Sequence, residues 1–251
     1  MTPLLDVSGL TKRYGSRIGC RDVSLDLIPG EVLGIVGESG SGKTTGLNCI
    51  ASHLSPDAGR ITYRGHDLIA MPEPERRRLM RAEWAFVHQN PADGLRMNVT
   101  AGGNVGERLM ESGARHYGNI RGAASAWLER VEIDPARIDD RPTTFSGGMR
   151  QRLQIARALV TNPRIVLMDE PTGGLDVSVQ ARLLDLLKKL VHDMGLAAIV
   201  VTHDMGVVRL MADRLIVMKD GQVVEQGLTD QVLDDPQDAY SQLLVSSVLP
   251  V

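Results

Sequence analysis

The sequence predicts an α/β fold in which a mostly parallel sheet is flanked by helices. Three observations support this prediction. A glycine-rich segment at 37–45 separates an apolar stretch from a helix-like stretch. A second apolar stretch at 165–168 ends in two adjacent acidic residues. Elsewhere, short strand-like patterns alternate with longer helix-like patterns, which is typical of parallel sheets covered by helices.

The N-terminal third predicts antiparallel β-structure that leads into the glycine-rich segment. Residues 4–36 combine alternating apolar and polar positions with a Pro-Gly turn, which indicates strands and a tight connection. The predicted elements are strands at 4–7 and 23–27, a turn at 29–30, a buried strand at 31–36, a helix at 44–54, a hairpin at 61–67, a helix at 72–83 and a strand at 84–89.

Residues 93–144 differ from their surroundings because glycines at 102, 103, 106, 113, 118 and 122 are spread among helical pieces. We predict a mostly helical insertion here. The α/β pattern then resumes with a helix at 151–160, a strand at 164–168, an amphipathic helix at 179–194 and a strand at 196–202. The predicted organisation is one domain, with an α/β core at 1–91 and 160–230, a helical subdomain at 92–159 and a C-terminal tail at 231–251.

Composition limits the function classes. A chain of 251 residues with 43% hydrophobic and 24% charged content is ordinary for a soluble globular protein. The net charge of −3 does not favour nucleic acid or an anionic membrane as the main partner. The basic run at 76–78 follows acidic residues, which favours a solvated helix face over a docking patch.

The cysteines, the N-terminus and the apolar runs of the sequence predict the cellular compartment of the protein. Cys20 and Cys49 lack metal-ligand spacing and predict a reducing cytoplasm without a disulfide framework. The N-terminus lacks the basic start and apolar core of a signal peptide. The longest apolar run, 196–201, is far shorter than the roughly 20 residues of a membrane span. We therefore expect a cytoplasmic protein without direct membrane insertion.

The segment 37–45 fits a phosphate-binding loop, in which two glycines separated by four residues precede Lys and Ser or Thr. Its residues are Gly37, Glu38, Ser39, Gly40, Ser41, Gly42, Lys43, Thr44 and Thr45. Glycines let the backbone point N–H groups at a polyphosphate, and the following helix adds partial positive charge. Lys43 is expected to reach the β- and γ-phosphates, and the Thr44 hydroxyl to bind Mg²⁺. The flanking strand and helix argue against a turn that binds nothing.

A second set of candidate residues follows two later strands. Asp169 and Glu170 end the apolar stretch at 165–168, at the strand end where ligands bind in open α/β sheets. Asp169 is expected to hold Mg²⁺, and Glu170 to orient or deprotonate the attacking water. An exposed acidic turn is the alternative. His203 ends the next predicted strand; a structural histidine is the alternative there, but the nearby acids and phosphate loop favour a functional one.

A third candidate is the segment 145–149. Ser146 stands where an N-cap is expected, and Gly147 and Gly148 precede a basic amphipathic helix. This arrangement predicts a second helix terminus suited to an anion. Within one chain, such a site has no obvious ligand.

In this order, these segments resemble an ATP-binding-cassette (ABC) ATPase over essentially the whole chain. The resemblance implies a P-loop NTPase fold with a RecA-like core, an antiparallel β subdomain and a helical signature-motif insertion. It also implies the cofactors ATP and Mg²⁺. The implied roles are adenine stacking by Tyr14, sensing of Mg²⁺ and water by Gln89, the signature motif at 145–149, the second Walker strand ending at Asp169 and Glu170, a dimer-contacting loop at 173–176 and the switch histidine at His203.

The resemblance explains the second anion site. In such cassettes, the signature helix of one subunit caps ATP held by the phosphate loop of another, so the partner is a second copy in a head-to-tail dimer. Two departures stand out: Phe145 and Met149 replace the Leu and Gln of the usual Leu-Ser-Gly-Gly-Gln signature, and Gly173-Gly174 stands where Ser-Ala is commoner. Both departures imply slowed or conditional hydrolysis with nucleotide binding retained.

The subfamily is indicated by segments within 93–118, by 141–149 and by 234–248. They resemble the cassette ATPase of the phosphonate carbon–phosphorus lyase system. This likeness implies docking on the soluble lyase core through the helical insertion, in place of a permease.

Three alternatives remain. The ATPase of a dipeptide or oligopeptide importer shares the tail pattern at 236–240 but generally continues further than this chain, which favours the lyase system. An ATP-dependent clamp or scaffold that does not hydrolyse ATP would not require Glu170 and His203. A P-loop GTPase or kinase would leave the signature segment without a role, and no Asn-Lys-x-Asp guanine motif occurs.

Overall fold

The computed structural model describes residues 2–248, apart from the side chain of Val248. The chain divides into two compact units. The first unit contains the residues up to Arg76 and those from Gly195 onward, and the second unit is Arg77–Met194. The last three residues of the predicted tail, 249–251, lie outside the described residues.

The described elements follow the predicted alternation of strands and helices. The strands are β1 (Leu5–Tyr14), β2 (Arg17–Leu27), β3 (Val32–Val36), β4 (Ala58–Tyr63), β5 (His66–Asp67), β6 (Trp84–Val87), β7 (Ile165–Asp169), β8 (Ala197–Val201), β9 (Arg214–Lys219) and β10 (Gln222–Leu228). The helices are α1 (Lys43–Ile50), α2 (Glu73–Glu83), α3 (Pro91–Gly94), α4 (Ala101–Glu111), α5 (Tyr117–Arg130), α6 (Gly147–Leu159), α7 (Val177–Met194), α8 (Met205–Met211), α9 (Thr229–Asp234) and α10 (Ala239–Val248).

The first unit contains a small antiparallel sheet in the order β2-β1-β4-β5. β1 lies between its neighbours, with Val7 opposite Leu25 on β2 and Ile61 on β4. These three side chains are buried, because alternate residues of each strand face the same side of the sheet. The prediction of antiparallel strands and of a hairpin at 61–67 is confirmed.

The first unit also contains the strands β10, β9, β3 and β8, paired in that order. β3 runs parallel to β8, with Val32 opposite Ala198, and parallel to β9. The prediction that the antiparallel region extends to residue 36 is therefore wrong for β3. All five residues of β3 are buried, and burial on both faces is typical of parallel strands.

In the second unit, β6 and β7 pair in parallel, with Trp84 opposite Ile165. β6 ends at Val87, two residues before the predicted strand end. Helices α3 to α5 and short 3-10 turns at Pro135–Asp139 and Pro142–Thr144 confirm the helical character of the 93–144 region.

The glycines of α4 allow other parts of the insertion to pack closely against this helix. A Cβ added at Gly102 would lie 2.5 Å from Cγ1 of Ile138, and one at Gly106 would lie 2.7 Å from Cγ2 of Ile120. Both distances are below van der Waals contact. Gly102 and Gly106 therefore serve packing between helical pieces of the insertion, whereas a Cβ on Gly113 or Gly122 would meet no described atom within 4 Å.

The long helix α7 is amphipathic, as its sequence predicts. Leu183, Leu187 and Leu190 are buried on one face, and the intervening charged residues are exposed. Among residues 2–248, no helix is long and apolar enough to cross a membrane.

Candidate functional site

The glycine-rich segment forms a loop between β3 and α1, as its flanking sequence predicts. α1 begins at Lys43, directly after Gly42. Gly37, Gly40 and Gly42 have φ angles of 147°, 86° and 97°. Residues with a Cβ rarely adopt such backbone angles, so the loop conformation depends on glycine at these positions.

Neighbouring backbone packs directly against two of these glycines. A Cβ on Gly37 would lie 2.1 Å from the carbonyl oxygen of Met218, and a Cβ on Gly42 would lie 2.3 Å from that of Gly19. Backbone atoms of β2 and β9 cannot rotate away as a side chain can. These contacts hold the loop in place and require glycine at both positions.

The Lys43 side chain is buried and folds back over the loop. Its Nζ donates to the carbonyl oxygens of Gly37 and Glu38, both at 2.7 Å, and to Ser41 Oγ at 3.2 Å. The ammonium therefore lies within the loop that precedes α1, and the N-terminus of this helix adds partial positive charge nearby. This combination suits a polyphosphate.

The remaining loop residues differ in exposure. Glu38, Ser39 and Thr44 are exposed, whereas Ser41 is buried and Thr45 is half-buried. The loop thus presents its tip and the first turn of α1 to solvent. A ligand can therefore reach Thr44, which is predicted to bind Mg²⁺, and the exposed tip of the loop.

Tyr14 lies beside the phosphate loop, with Gly19 between them. A Cβ on Gly19 would lie 2.9 Å from Cε2 of Tyr14 and 2.8 Å from Cγ2 of Thr45. Tyr14 is 47% exposed as a residue, and Nζ of Lys12 lies 5.9 Å from the centroid of its ring. A half-exposed ring next to a phosphate loop suits the predicted stacking on adenine.

His203 lies at the same edge of the sheet as the phosphate loop. β8 is parallel to β3, with Val201 opposite Ile35, and the Thr202 N–H donates to the Ile35 carbonyl oxygen at 3.1 Å. His203 follows Thr202 and is exposed. In the first unit, His203 therefore follows β8 at the sheet edge where the phosphate loop follows β3, and Tyr14 lies beside that loop.

The second unit contains the predicted acidic pair. Asp169 is the last residue of β7 and is 7% exposed, whereas Glu170 is half-buried. Glu170 has a φ of 46°, a left-handed conformation that costs a non-glycine residue about 1–2 kcal/mol. Such strain is often found at functional positions.

Gln89 and Glu170 meet around Gly173. A Cβ on Gly173 would lie 3.6 Å from Cβ of Glu170 and 3.7 Å from Cγ of Gln89. The Gly173 N–H donates to the Glu170 carbonyl oxygen at 2.9 Å. Gly174 has a φ of 73°, which explains why glycine suits a position where the resemblance led us to expect alanine.

The signature segment forms the start of α6. Ser146 is the N-cap, and its Oγ accepts from the Met149 N–H at 3.3 Å, as predicted. Ser146 and Gly147 are exposed. A Cβ on Gly148 would lie 2.6 Å from Cγ1 of Val179 on α7, so the second glycine is also required for packing.

Both unusual residues of the signature contact Arg137. Its guanidinium carbon lies 4.5 Å from the centroid of the Phe145 ring, and its Nη1 donates to the Met149 sulfur at 3.4 Å. Arg137 also pairs with Asp140 at 2.7 Å. Phe145 and Met149 thus both pack around one arginine, which gives the two replacements within the signature a structural reason.

Sequence reasoning missed two glutamines of α6 that hold the segment before Gln89. Gln154 accepts from the His88 N–H at 2.7 Å and donates to the His88 carbonyl oxygen at 3.1 Å. Gln151 donates to the same carbonyl at 3.4 Å. Both glutamines are almost fully buried. The sequence did contain a signal for this contact: two glutamines, three residues apart, stand among the apolar positions of α6.

Comparison with known proteins places these features in a family. The model of the family described as "ABC transporter" matches residues 20–173. The chain is 68% identical over 247 residues to the "Putative phosphonates utilization ATP-binding protein PhnK" of Escherichia coli K12, covering 98% of both chains. It is 38% identical to a putative peptide import ATP-binding protein of Brucella ovis, covering 98% of this chain and 79% of that one.

Solved structures agree with this assignment. The dimeric post-hydrolysis structure of the ATP-binding cassette MJ0796, bound to ADP and phosphate, matches with a TM-score of 0.82 and 33% identity, covering 90% of this chain and 98% of that one. CbiO1 of Clostridium perfringens, part of the ABC transporter complex CbiONQ, matches with a TM-score of 0.83 and 27% identity, covering 94% and 92%. The predicted ABC ATPase fold is confirmed, and the chain belongs to the ABC transporter family of ATP-binding cassette proteins.

Proposed function

We propose that this protein binds and hydrolyses ATP as the cassette subunit that acts with a carbon–phosphorus lyase core in phosphonate catabolism. The observation that carries the proposal is the 68% identity, over 98% of both chains, to a protein named for phosphonate utilization. Identity to putative peptide import ATP-binding proteins is only 38–39%. The difference favours the phosphonate system over an importer.

ATP binding is supported by the geometry of the first unit. The buried Lys43 ammonium and the first turn of α1 offer positive charge for the β- and γ-phosphates. Tyr14 offers a half-exposed ring beside the loop for the adenine. The close backbone packing at Gly37 and Gly42 keeps this cradle formed before the ligand arrives.

The residues predicted to hold Mg²⁺ have suitable chemistry. Thr44 offers a hydroxyl, Asp169 a buried carboxylate and Gln89 an amide oxygen. Mg²⁺ in nucleotide sites is held by one or two such protein oxygens together with phosphate oxygens. When bound, the ion would neutralise charge on the phosphates.

We assign hydrolysis to Glu170. Its carboxylate would orient the attacking water and accept a proton from it, while Gln89 and His203 help to position that water. The packing of Gln89 and Glu170 against Gly173 supports joint action by these two residues.

We further propose a head-to-tail dimer with a second copy of the chain. The exposed Ser146 and Gly147 at the N-terminus of α6 would, with Gly148, contact ATP bound to the partner's phosphate loop. A structural relative, the cassette MJ0796, is described as dimeric. The helical insertion at 92–159 would dock on the lyase core in the cytoplasm.

Glu170→Gln tests the hydrolysis proposal. Because general-base catalysis contributes about 10²- to 10⁴-fold, we expect ATPase activity to fall by at least about 100-fold. ATP should still bind, and size-exclusion chromatography with light scattering should show an ATP-dependent dimer. Glu75→Gln on the exposed face of α2 is the matched control. Undiminished turnover in Glu170→Gln would contradict the mechanism.

A pulldown from native cells tests the partner. With the tagged full chain as bait, we expect soluble lyase subunits, with recovery that changes between ATP-bound and nucleotide-free conditions. Recovery of a membrane permease in their place would support the importer and overturn the lyase assignment.

A further inference from the structure

A tyrosine of the C-terminal segment contacts the phosphate loop. Tyr240, in the first turn of α10, is 7% exposed, and its hydroxyl oxygen accepts from the Glu38 backbone N–H at 3.0 Å. The two residues are 202 positions apart in the chain. None of the motifs that predict nucleotide binding includes Tyr240.

This hydrogen bond acts on the same peptide group that Lys43 contacts. The Glu38 N–H and the Gly37 carbonyl belong to one planar peptide unit, and in the trans form they point in opposite directions. Lys43 Nζ donates to that carbonyl at 2.7 Å, while Tyr240 accepts from the N–H at 3.0 Å. One peptide plane is therefore held from both sides.

The orientation of this plane matters because Gly37 has no side chain to restrict it. Rotation about the Gly37 Cα–C bond turns this plane, and glycine restricts that rotation less than a residue with a Cβ does. If the plane turned, Lys43 would lose a carbonyl that fixes its ammonium before ATP binds. Bound phosphates can supply replacement contacts to Lys43, so the anchor matters most in the free protein.

Tyr240 itself is held firmly. Its ring packs in an apolar cluster with Val36 and Val217, and Nζ of Lys219 lies 4.8 Å from the ring centroid. The Tyr240 N–H donates to the Asp238 carboxylate at 2.8 Å. Burial raises the pKa of the phenol, which keeps the hydroxyl protonated at physiological pH.

The segment before Tyr240 is anchored to β10. The Glu225 carboxylate accepts from the N–H groups of Gln237 at 2.8 Å and Asp238 at 3.1 Å. These contacts fix the start of α10 against the same unit that carries the phosphate loop. A chain of contacts thus runs from Glu225 through Tyr240 to Glu38.

We propose that Tyr240 is a positioning residue for the phosphate loop, and that the C-terminal segment 236–248 thereby sets the affinity for ATP. The inference rests on the proposed ATP binding. It assigns to the tail a role in preparing the loop, in addition to packing against the core.

Tyr240→Phe tests this role because it removes the hydroxyl and keeps the ring. A neutral hydrogen bond contributes about 0.5–1.5 kcal/mol, so we expect KM and Kd for ATP to rise about three- to tenfold. At saturating ATP, kcat should stay within about twofold, because bound phosphates restore the loop. Tyr63→Phe, which removes another buried tyrosine hydroxyl on β4, is the matched control and should leave KM unchanged.

Hydrogen exchange gives a readout that needs no nucleotide. In the free protein, the Glu38 amide should exchange faster in Tyr240→Phe than in wild type, while amides of β3 keep their protection. Glu225→Gln should raise KM in the same direction by a smaller factor, because a weaker amide acceptor loosens the start of α10.

The outcomes separate this inference from the proposed function. Unchanged KM and unchanged Glu38 exchange in Tyr240→Phe would overturn the inference. So would a fall in kcat at constant KM with a lower melting temperature, which indicates loss of folded protein. If wild type itself fails to bind ATP, or binds it equally well after Lys43→Ala, the proposed ATP site is wrong, and the exchange result still stands for the loop contact.

Discussion

The phosphate loop and the segment that carries Gln89 are both loops that follow strands, yet they are held in different ways. Backbone holds the phosphate loop: the carbonyls of Met218 and Gly19 pack against Gly37 and Gly42. Side chains hold the Gln89 segment: Gln154 of α6 binds both the N–H and the carbonyl of His88. The first arrangement depends on backbone packing, whereas the second depends on a side chain of α6.

This difference suits the proposed roles of the two loops. A cradle for phosphates works best when it is formed in advance, since fixed N–H groups need no reorganisation on binding. A residue that senses water and Mg²⁺ works through a segment that can shift. Because Gln154 lies on α6, whose N-cap is Ser146, we expect a movement of this helix to reach Gln89 through His88.

The largest effect should come from changing the backbone-held loop. In Gly42→Ala, the new methyl group would meet the Gly19 carbonyl at 2.3 Å in a residue already at positive φ. We expect a cost above about 3 kcal/mol, and hence ATP binding weakened by at least about 100-fold. Isothermal titration with ATP and a thermal melt measure both quantities.

Gly40→Ala is the matched control. Gly40 also has a positive φ, but a Cβ there meets no atom within 4 Å among the described residues. Only the backbone strain of about 1–2 kcal/mol remains, so the expected loss is roughly tenfold. Equal losses in the two variants would show that φ alone matters and would remove the argument from close packing.

A smaller effect, on kcat and not on the affinity for ATP, should follow from changing the side chain that holds the Gln89 segment. Gln154→Leu removes the partner of the His88 N–H, and unsatisfied buried groups cost about 1–3 kcal/mol. We expect kcat to fall about tenfold or more, with the Kd for ATP changed by less than about threefold. Steady-state ATPase assays and urea unfolding provide the measurements.

Gln151→Leu serves as the comparison for this change. Gln151 makes one longer bond, of 3.4 Å, to the same carbonyl. Its replacement should reduce kcat less than Gln154→Leu does. If Gln154→Leu keeps full turnover, α6 does not control the Gln89 segment, and the contrast between the two loops loses its functional meaning.

The sequence predicted best those features that depend on local order. The glycine pattern of residues 37–45 predicted a strand, a loop and a helix, and the residues before Asp169 predicted a buried strand. In both cases, the residues that determine the local structure are close neighbours in the sequence. The N-cap at Ser146 was predictable for the same reason.

Features that depend on distant residues were not predictable in this way. The pairing of β3 with β8 and β9 involves residues more than 160 positions away, so its apolar run indicated burial but not direction. The contacts of Gln154 with His88 and of Tyr240 with Glu38 span 66 and 202 positions. A single sequence shows only a buried amide and a tail tyrosine in these places.

The smallest effect should come from restoring the commoner signature residue. In Met149→Gln, Arg137 exchanges a sulfur acceptor at 3.4 Å for an amide and keeps its pair with Asp140 and its contact with the Phe145 ring. A neutral hydrogen bond across the proposed dimer interface contributes about 0.5–1.5 kcal/mol, so we expect kcat to rise about two- to tenfold. Met149→Leu, which removes the sulfur and adds no amide, should not raise kcat. Because Ser146 and the two glycines keep their positions in both variants, a gain seen only with glutamine would identify the amide as its source. An equal gain in the leucine variant would instead assign the effect to release of Arg137.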